Sequence, residues 1–95
     1  MPGIATPELV SAVAAAGGVG MLPTPMMSPA ALEAALDGLR QRAPGAFGAN
    51  FLVPFLDEDC VTVAGRGAGL VEFFYGDPDT ELVERVHGLG ARVSW

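Results

Sequence analysis

Two polar residues stand inside otherwise apolar runs, and chemistry would start there. The run Phe47-Gly48-Ala49-Asn50-Phe51-Leu52-Val53 carries a single amide, Asn50. In an extended strand alternate residues share a face, so Asn50 goes with Gly48 and Leu52, opposite Phe47, Phe51 and Val53. An amide beside a glycine that admits close approach suits a flat polar ligand. Bonds to neighbouring backbone are the favoured reading of these residues alone, because buried polar groups find partners either way. The run Leu70-Val71-Glu72-Phe73-Phe74-Tyr75 carries a single carboxylate, Glu72, which shares a face with Leu70 and Phe74, opposite Val71, Phe73 and Tyr75. A carboxylate among apolar neighbours must be paired or held protonated. Glu72 is therefore a general base or ligand anchor, or else one half of a structural ion pair. Arg92 on the next strand is the natural partner, and the ion pair is the favoured reading.

The other reactive types have structural explanations. Asp57, Asp59, Asp77 and Asp79 fall in first helical turns, where capping accounts for them without a metal. His87 falls near a helix end, where a partial positive charge suits the dipole. Cys60 has no His partner in sight and reads as a small apolar residue. Met26 and Met27 follow a strand end, where they line a pocket or fill a gap. Gly17-Gly18-Val19-Gly20 and Gly65-Arg66-Gly67-Ala68-Gly69 precede strands, whereas a phosphate-binding glycine loop follows one. No Ser-His-Asp set can be assembled.

These residues need a frame, and the helix starts mark it out. Thr6-Pro7-Glu8, Ser28-Pro29 and Asp77-Pro78 each put a side-chain acceptor before a proline, the signature of an N-cap with Pro at the first helical position. Asp57-Glu58-Asp59 is a fourth start, leading into a short, weakly patterned helix over Glu58–Gly65. Between the helices lie apolar runs at Gly18–Leu22, Phe47–Val53, Leu70–Tyr75 and Arg92–Trp95, each bounded by Gly or Pro and each of strand length. Helix and strand alternate with no hairpin signal, which predicts parallel strands joined by crossovers. The architecture is a doubly wound sheet or part of a (β/α)8 barrel. A barrel takes about 250 residues, so 95 hold only some of one. The chain opens at a helix cap and stops inside a strand, which predicts a single incomplete domain over residues 1–95.

Composition removes other classes. Hydrophobic residues make up 51% and charged residues 17%, the opposite of a disordered chain. The longest apolar stretches are broken by Gly and Pro well short of the roughly 20 residues of a membrane span. No basic segment precedes an apolar core, so no signal peptide is visible. Five Arg and no Lys against eleven acidic residues leave a net charge of −6 and no basic stripe for nucleic acid. One cysteine fits a reducing, cytoplasmic setting. Open sheet edges would favour self-association.

The segments, taken in order, also resemble a known family. Gly3-Ile4-Ala5-Thr6-Pro7-Glu8-Leu9-Val10 and Ala16-Gly17-Gly18-Val19-Gly20-Met21-Leu22 are similar to the opening of nitronate monooxygenases, the 2-nitropropane dioxygenase-like flavoenzymes. Phe47-Gly48-Ala49-Asn50-Phe51 resembles their G-x-N-hydrophobic strand. Phe73-Phe74-Tyr75-Gly76-Asp77-Pro78 and Val93-Ser94-Trp95 resemble their fourth and fifth strands. The similarity runs along nearly the whole chain. It implies an FMN-binding (β/α)8 barrel of which this chain is the N-terminal part, roughly strands 2 to 5. It also implies oxidation of small nitronates or nitroalkanes with O2 as electron acceptor. By this resemblance Asn50 contacts FMN, and Met1 and Gly3 border its ring. Phe74 occupies the place of a catalytic His found in many members, which leaves Glu72 as a weak substitute. The family's first strand, a flavin-contacting Gln after the Ser-Trp pair and the glycine-rich phosphate site lie outside the matched segments. An FMN-dependent enoyl-thioester reductase and a catalytically inert barrel piece are the alternatives.

Overall fold

Each helix begins at a side-chain oxygen that takes up an otherwise orphan backbone N–H. In the computed structural model, which describes residues 5–42 and 46–95, helix α1 (Pro7–Ala15) starts at Thr6, whose hydroxyl accepts from the Leu9 N–H at 3.3 Å. Helix α2 (Pro29–Arg42) starts at Ser28, which accepts from the Ala31 N–H at 3.1 Å. Helix α3 (Glu58–Gly67) starts at Asp57, which accepts from the N–H groups of Asp59 and Cys60. Three of the four expected starts are therefore in place.

The fourth moves by two residues. Helix α4 spans Thr80–Leu89 and is capped by Asp79, whose carboxylate accepts from Glu81 and Leu82. The Asp77-Pro78 start expected from the cap-plus-proline pattern lies in the preceding loop. The reason is upstream. Tyr75 and Gly76 turn left-handed, with φ of 69° and 74°, so the chain is still reversing at Asp77. Asp79→Ala is accordingly expected to lower stability by about 1 kcal/mol, while Asp77→Ala changes it by less than about 0.5 kcal/mol. Urea unfolding of the two variants checks this, and equal losses would restore Asp77 as the cap.

Helix α3 is also longer than its pattern suggested. It buries Cys60, Val61, Ala64 and Gly65, small residues that weaken an apolar periodicity while permitting close packing. A Cβ added at Gly65 would stand 2.7 Å from the Leu89 side chain of α4. Cys60 behaves as the small apolar residue expected, with its Sγ 3.5 Å from the Met27 carbonyl oxygen. Burial, with Asp57 and Asp59 adding to it, pushes its thiol above the ordinary value of 9.0. The first glycine run is a helix stop, as expected. Gly17 takes φ of 95°, its N–H bonds to the Ala14 carbonyl, and the Gly18 N–H bonds to Val13, a Schellman arrangement.

The strands are β1 (Val19–Pro23), β2 (Ala46–Leu52), β3 (Leu70–Phe74) and β4 (Arg92–Ser94). They form one sheet in the order β1-β2-β3-β4, and every neighbouring pair is parallel. Val53, expected in β2, instead opens a short 3-10 turn at Val53–Phe55, because Pro54 removes the next ladder N–H. Tyr75, expected at the end of β3 on the face of Phe73, leaves the strand in its left-handed turn.

One apolar cluster joins the helices to one side of the sheet. It holds Val10 of α1, Leu36 of α2, Val61 of α3 and Val86 of α4 together with Phe51 and Phe73 of the sheet. The rings of Phe51 and Phe73 stack at 5.7 Å between centroids, and Phe73 meets Trp95 at 4.9 Å. Gly20 lets α1 lie directly on β1, since a Cβ there would run into the Val10 carbonyl. Sequential strand order with all four helices of the described residues packed on one face excludes the doubly wound alternative, which covers both faces and reverses its order. The arrangement is that of consecutive (β/α)8 barrel units.

Candidate functional site

The carboxyl ends of parallel strands gather the loops of an α/β fold, and ligands bind there. In this chain those ends are formed by Pro23-Thr24, Leu52-Val53 and Phe74-Tyr75. The strand register sets Pro23 beside Asn50 and Asn50 beside Glu72. Period-two alternation puts all three on the side of the sheet away from the helices, as the sequence pattern implied. That face is half-buried at Asn50, Leu52 and Glu72 and 53% exposed at Phe74.

Asn50 and Glu72 meet. The Asn50 Nδ2 donates to Glu72 Oε1 at 2.7 Å. This is a charge-assisted bond when the carboxylate is ionised, and such bonds are roughly twice as strong as neutral ones. It replaces both expected structural readings. Asn50 bonds its amide to a side chain rather than to neighbouring backbone. Glu72 takes an amide rather than Arg92, because the ladder sets Arg92 opposite Leu70 and Ser94 opposite Glu72. The pairing also dictates how the amide is turned, since an ionised carboxylate only accepts and must face the NH2 group.

The backbone of Asn50 is held just as firmly. Its carbonyl accepts from the Thr24 N–H at 3.0 Å and the Thr24 hydroxyl at 2.9 Å. Thr24 is the one buried polar residue among those described, 6% exposed. No sequence reasoning above singled it out. Its position one residue beyond Pro23 was the available signal.

Around the pair lies an open cavity of about 440 Å³, lined by Met21, Pro23, Asn50, Leu52, Glu72, Phe74 and Tyr75. The walls are mainly apolar, with an amide and a carboxylate on the floor. Met21 lines this cavity, whereas the expected Met26 and Met27 do not. Met26 is fully exposed, and Met27 packs against the core. Gly48 sits on the same face, and a Cβ there would come 2.6 Å from the Leu70 carbonyl oxygen. Strand packing therefore explains this glycine by itself.

Tyr75 was missed as a wall because strand parity sent it toward the helices. A bulky residue at positive φ is an outlier, and such strain gathers at functional ends of folds. Two contacts hold the turn. The Tyr75 and Phe74 rings meet edge-on at 4.7 Å, and the Trp95 indole N–H donates to the Gly76 carbonyl at 3.0 Å. Met1 and Gly3 lie outside the described residues. No group of three or more His, Cys, Asp and Glu residues among those described is placed to hold a metal. Among the described residues no helix is long and apolar enough to cross a membrane.

Comparison with known proteins gives this geometry a setting. The family model of nitronate monooxygenase matches residues 1–94. No curated protein matches the chain. Among solved structures, FabK from Thermotoga maritima is 31% identical with a TM-score of 0.85, over 98% of this chain and 30% of that one. Nitroalkane oxidase from Streptomyces ansochromogenes is 20% identical with a TM-score of 0.85, over 98% of this chain and 37% of that one. The chain thus spans about a third of the length of the structures it matches.

Proposed function

The chain belongs to the nitronate monooxygenase family, and from that premise we propose that it forms part of the cofactor and substrate site of an FMN-dependent oxidoreductase acting on small nitronates or nitroalkanes, with O2 as electron acceptor. The observation that carries this reading is the Asn50–Glu72 pair on the floor of an apolar cavity at the carboxyl ends of the strands. A flat conjugated ring fits such a place. Met21, Pro23 and Leu52 offer apolar surface, and Asn50 offers a polar group at a fixed angle. FMN, when bound, supplies the redox chemistry.

The residues of this chain do three things for that chemistry. Glu72 holds the Asn50 amide through Nδ2, so its Oδ1 is the atom left to accept from a ligand. Thr24 fixes the Asn50 backbone from the neighbouring strand end. Phe74, Leu52 and Tyr75 give the cavity an apolar wall against which a small substrate can lie. No described residue cradles a phosphate, since both glycine runs lie at the amino ends of strands, away from this cavity.

An FMN-dependent enoyl-thioester reductase is the alternative reading, supported by the 31% identity to FabK. Oxygen uptake with a nitronate, compared with oxidation of a reduced nicotinamide, separates the two in a flavin-loaded complete barrel that carries this segment.

The isolated 95-residue chain is expected to bind FMN weakly. Affinity depends on many preorganised groups, and the described residues offer surface for the ring but no cradle for a phosphate. Titration followed by flavin fluorescence checks this. Submicromolar binding would mean that the chain holds a complete flavin site, and the partial-site reading would fall.

A further inference from the structure

The side chains that line the cavity are short of hydrogen-bond donors. Met21, Pro23, Leu52 and Phe74 carry no N–H or O–H, and Glu72 when ionised only accepts. The Asn50 amide turns its NH2 group to Glu72. Tyr75 brings the one hydroxyl among these residues, and it is 61% exposed. Nitronate oxidation and enoyl-thioester reduction both put negative charge on a substrate oxygen. A nitronate carries it on the two nitro oxygens, and an enoyl thioester gains it on the carbonyl oxygen as hydride adds to the double bond. Such an oxygen is held best where a donor already stands in place.

The backbone brings Tyr75 there against the geometry of its own strand. As the residue after Phe74 in an extended run it would share the face of Phe73, among the helices. Its φ of 69° breaks that alternation, and Tyr75 lines the cavity instead. The left-handed region is open to glycine and is an outlier for a bulky residue. Strain of this kind persists only where the surroundings hold it. Here Gly76 continues the turn at φ of 74°, the Trp95 indole N–H donates to the Gly76 carbonyl at 3.0 Å, and the Phe74 ring meets the Tyr75 ring edge-on. A turn by itself would be served better by a second glycine. A tyrosine kept in the strained position points to a use for its side chain.

We propose that Tyr75 anchors the substrate. Its hydroxyl donates a hydrogen bond to the oxygen that carries or gains negative charge, a nitro oxygen of a nitronate or the carbonyl oxygen of an enoyl thioester. This role rests on the reading of the cavity as the substrate site, and it holds for either reaction. The hydroxyl keeps its proton throughout and takes part in no bond change. Glu72, in the same cavity, opposes a second negative charge, and a donor on the substrate oxygen offsets that repulsion. Recognition is then divided between two groups. The Asn50 Oδ1 accepts from a ligand N–H, and the Tyr75 hydroxyl serves a substrate oxygen.

The test is binding, read apart from turnover, in a complete flavin-loaded barrel carrying this segment. Propionate, a planar two-oxygen anion shaped like ethyl nitronate, is one probe. The butanoyl thioester of N-acetylcysteamine, which has no double bond to reduce, is the other. Each is titrated against the flavin absorbance of the unaltered protein and of Tyr75→Phe, which deletes only the hydroxyl. The probe that binds is expected to lose about tenfold in affinity in the variant, the usual effect of one hydrogen bond to a charged group. The Kd for flavin and the urea midpoint should stay the same. Equal affinity in the two proteins would overturn the anchoring role and leave the cavity as the substrate site. A loss accompanied by a lower urea midpoint or weaker flavin binding would make the hydroxyl a structural group and overturn the role as well. If neither probe perturbs the flavin of the unaltered protein, the reading of the cavity as the substrate site falls, and the role of Tyr75 falls with it.

Discussion

Phe74→His is expected to raise kcat/KM on a neutral nitroalkane by about 10²–10⁴-fold, the usual contribution of a positioned general base. On the preformed nitronate the same change should do little. The difference follows from where the proton is. A neutral nitroalkane must lose a proton from carbon before it can be oxidised, and the preformed anion has already lost it. Phe74 lies on the cavity side of β3, two residues beyond Glu72, with 53% of its surface open. An imidazole there would reach the cavity and accept the proton. Phenylalanine cannot. Glu72 is the neighbouring carboxylate, but one of its oxygens is already engaged by the Asn50 amide. The measurement is oxygen uptake by both variants with both substrates, in a complete flavin-loaded barrel carrying this segment. Fast turnover of the neutral nitroalkane by the phenylalanine form would show that the proton leaves by another route.

Phe51→Ala should come close to unfolding the isolated chain. Truncating a buried phenylalanine costs about 3–5 kcal/mol, through lost transfer free energy and the cavity left behind. Small domains hold only about 5–15 kcal/mol in total. Phe51 is 2% exposed, stacks on Phe73 and belongs to the cluster that joins the helices to the sheet. Its neighbours on the ladder are fixed by backbone bonds, so the site cannot collapse to fill the gap. Leu52→Ala, on the open face of the same strand, should cost far less. Urea denaturation of the two variants compares them directly, and similar losses would mean that the open face is as tightly packed as the core.

Local chemistry was legible in the residues. Caps at Thr6, Ser28 and Asp57 need only a short side-chain oxygen and the next few backbone N–H groups, so spacing reveals them. The Schellman stop at Gly17 is equally local. Strand parity turned Asn50 and Glu72 to one face and Phe51 and Phe73 to the other, because alternation is a property of the extended backbone itself. The succession of helix and strand limited the architecture to two forms, and the resemblance to nitronate monooxygenases pointed to one of them.

What spacing could not reach was anything decided between strands or by a strained turn. Glu72 takes Asn50 instead of Arg92 because the β3–β4 register slides Arg92 to Leu70, and register is set by the packing of whole elements. Tyr75 leaves its face, and the cap passes from Asp77 to Asp79, because a left-handed pair of residues, held by the Trp95 indole on the Gly76 carbonyl, turns the chain. Thr24 becomes part of the site only when β1 lies beside β2. The amino-acid sequence by itself determined the elements and their faces, since these rest on interactions within a few residues. The tertiary structure alone decided which side chains meet, since hydrogen bonds such as Asn50 to Glu72 join residues far apart in the chain and form only when packing brings their strands into register.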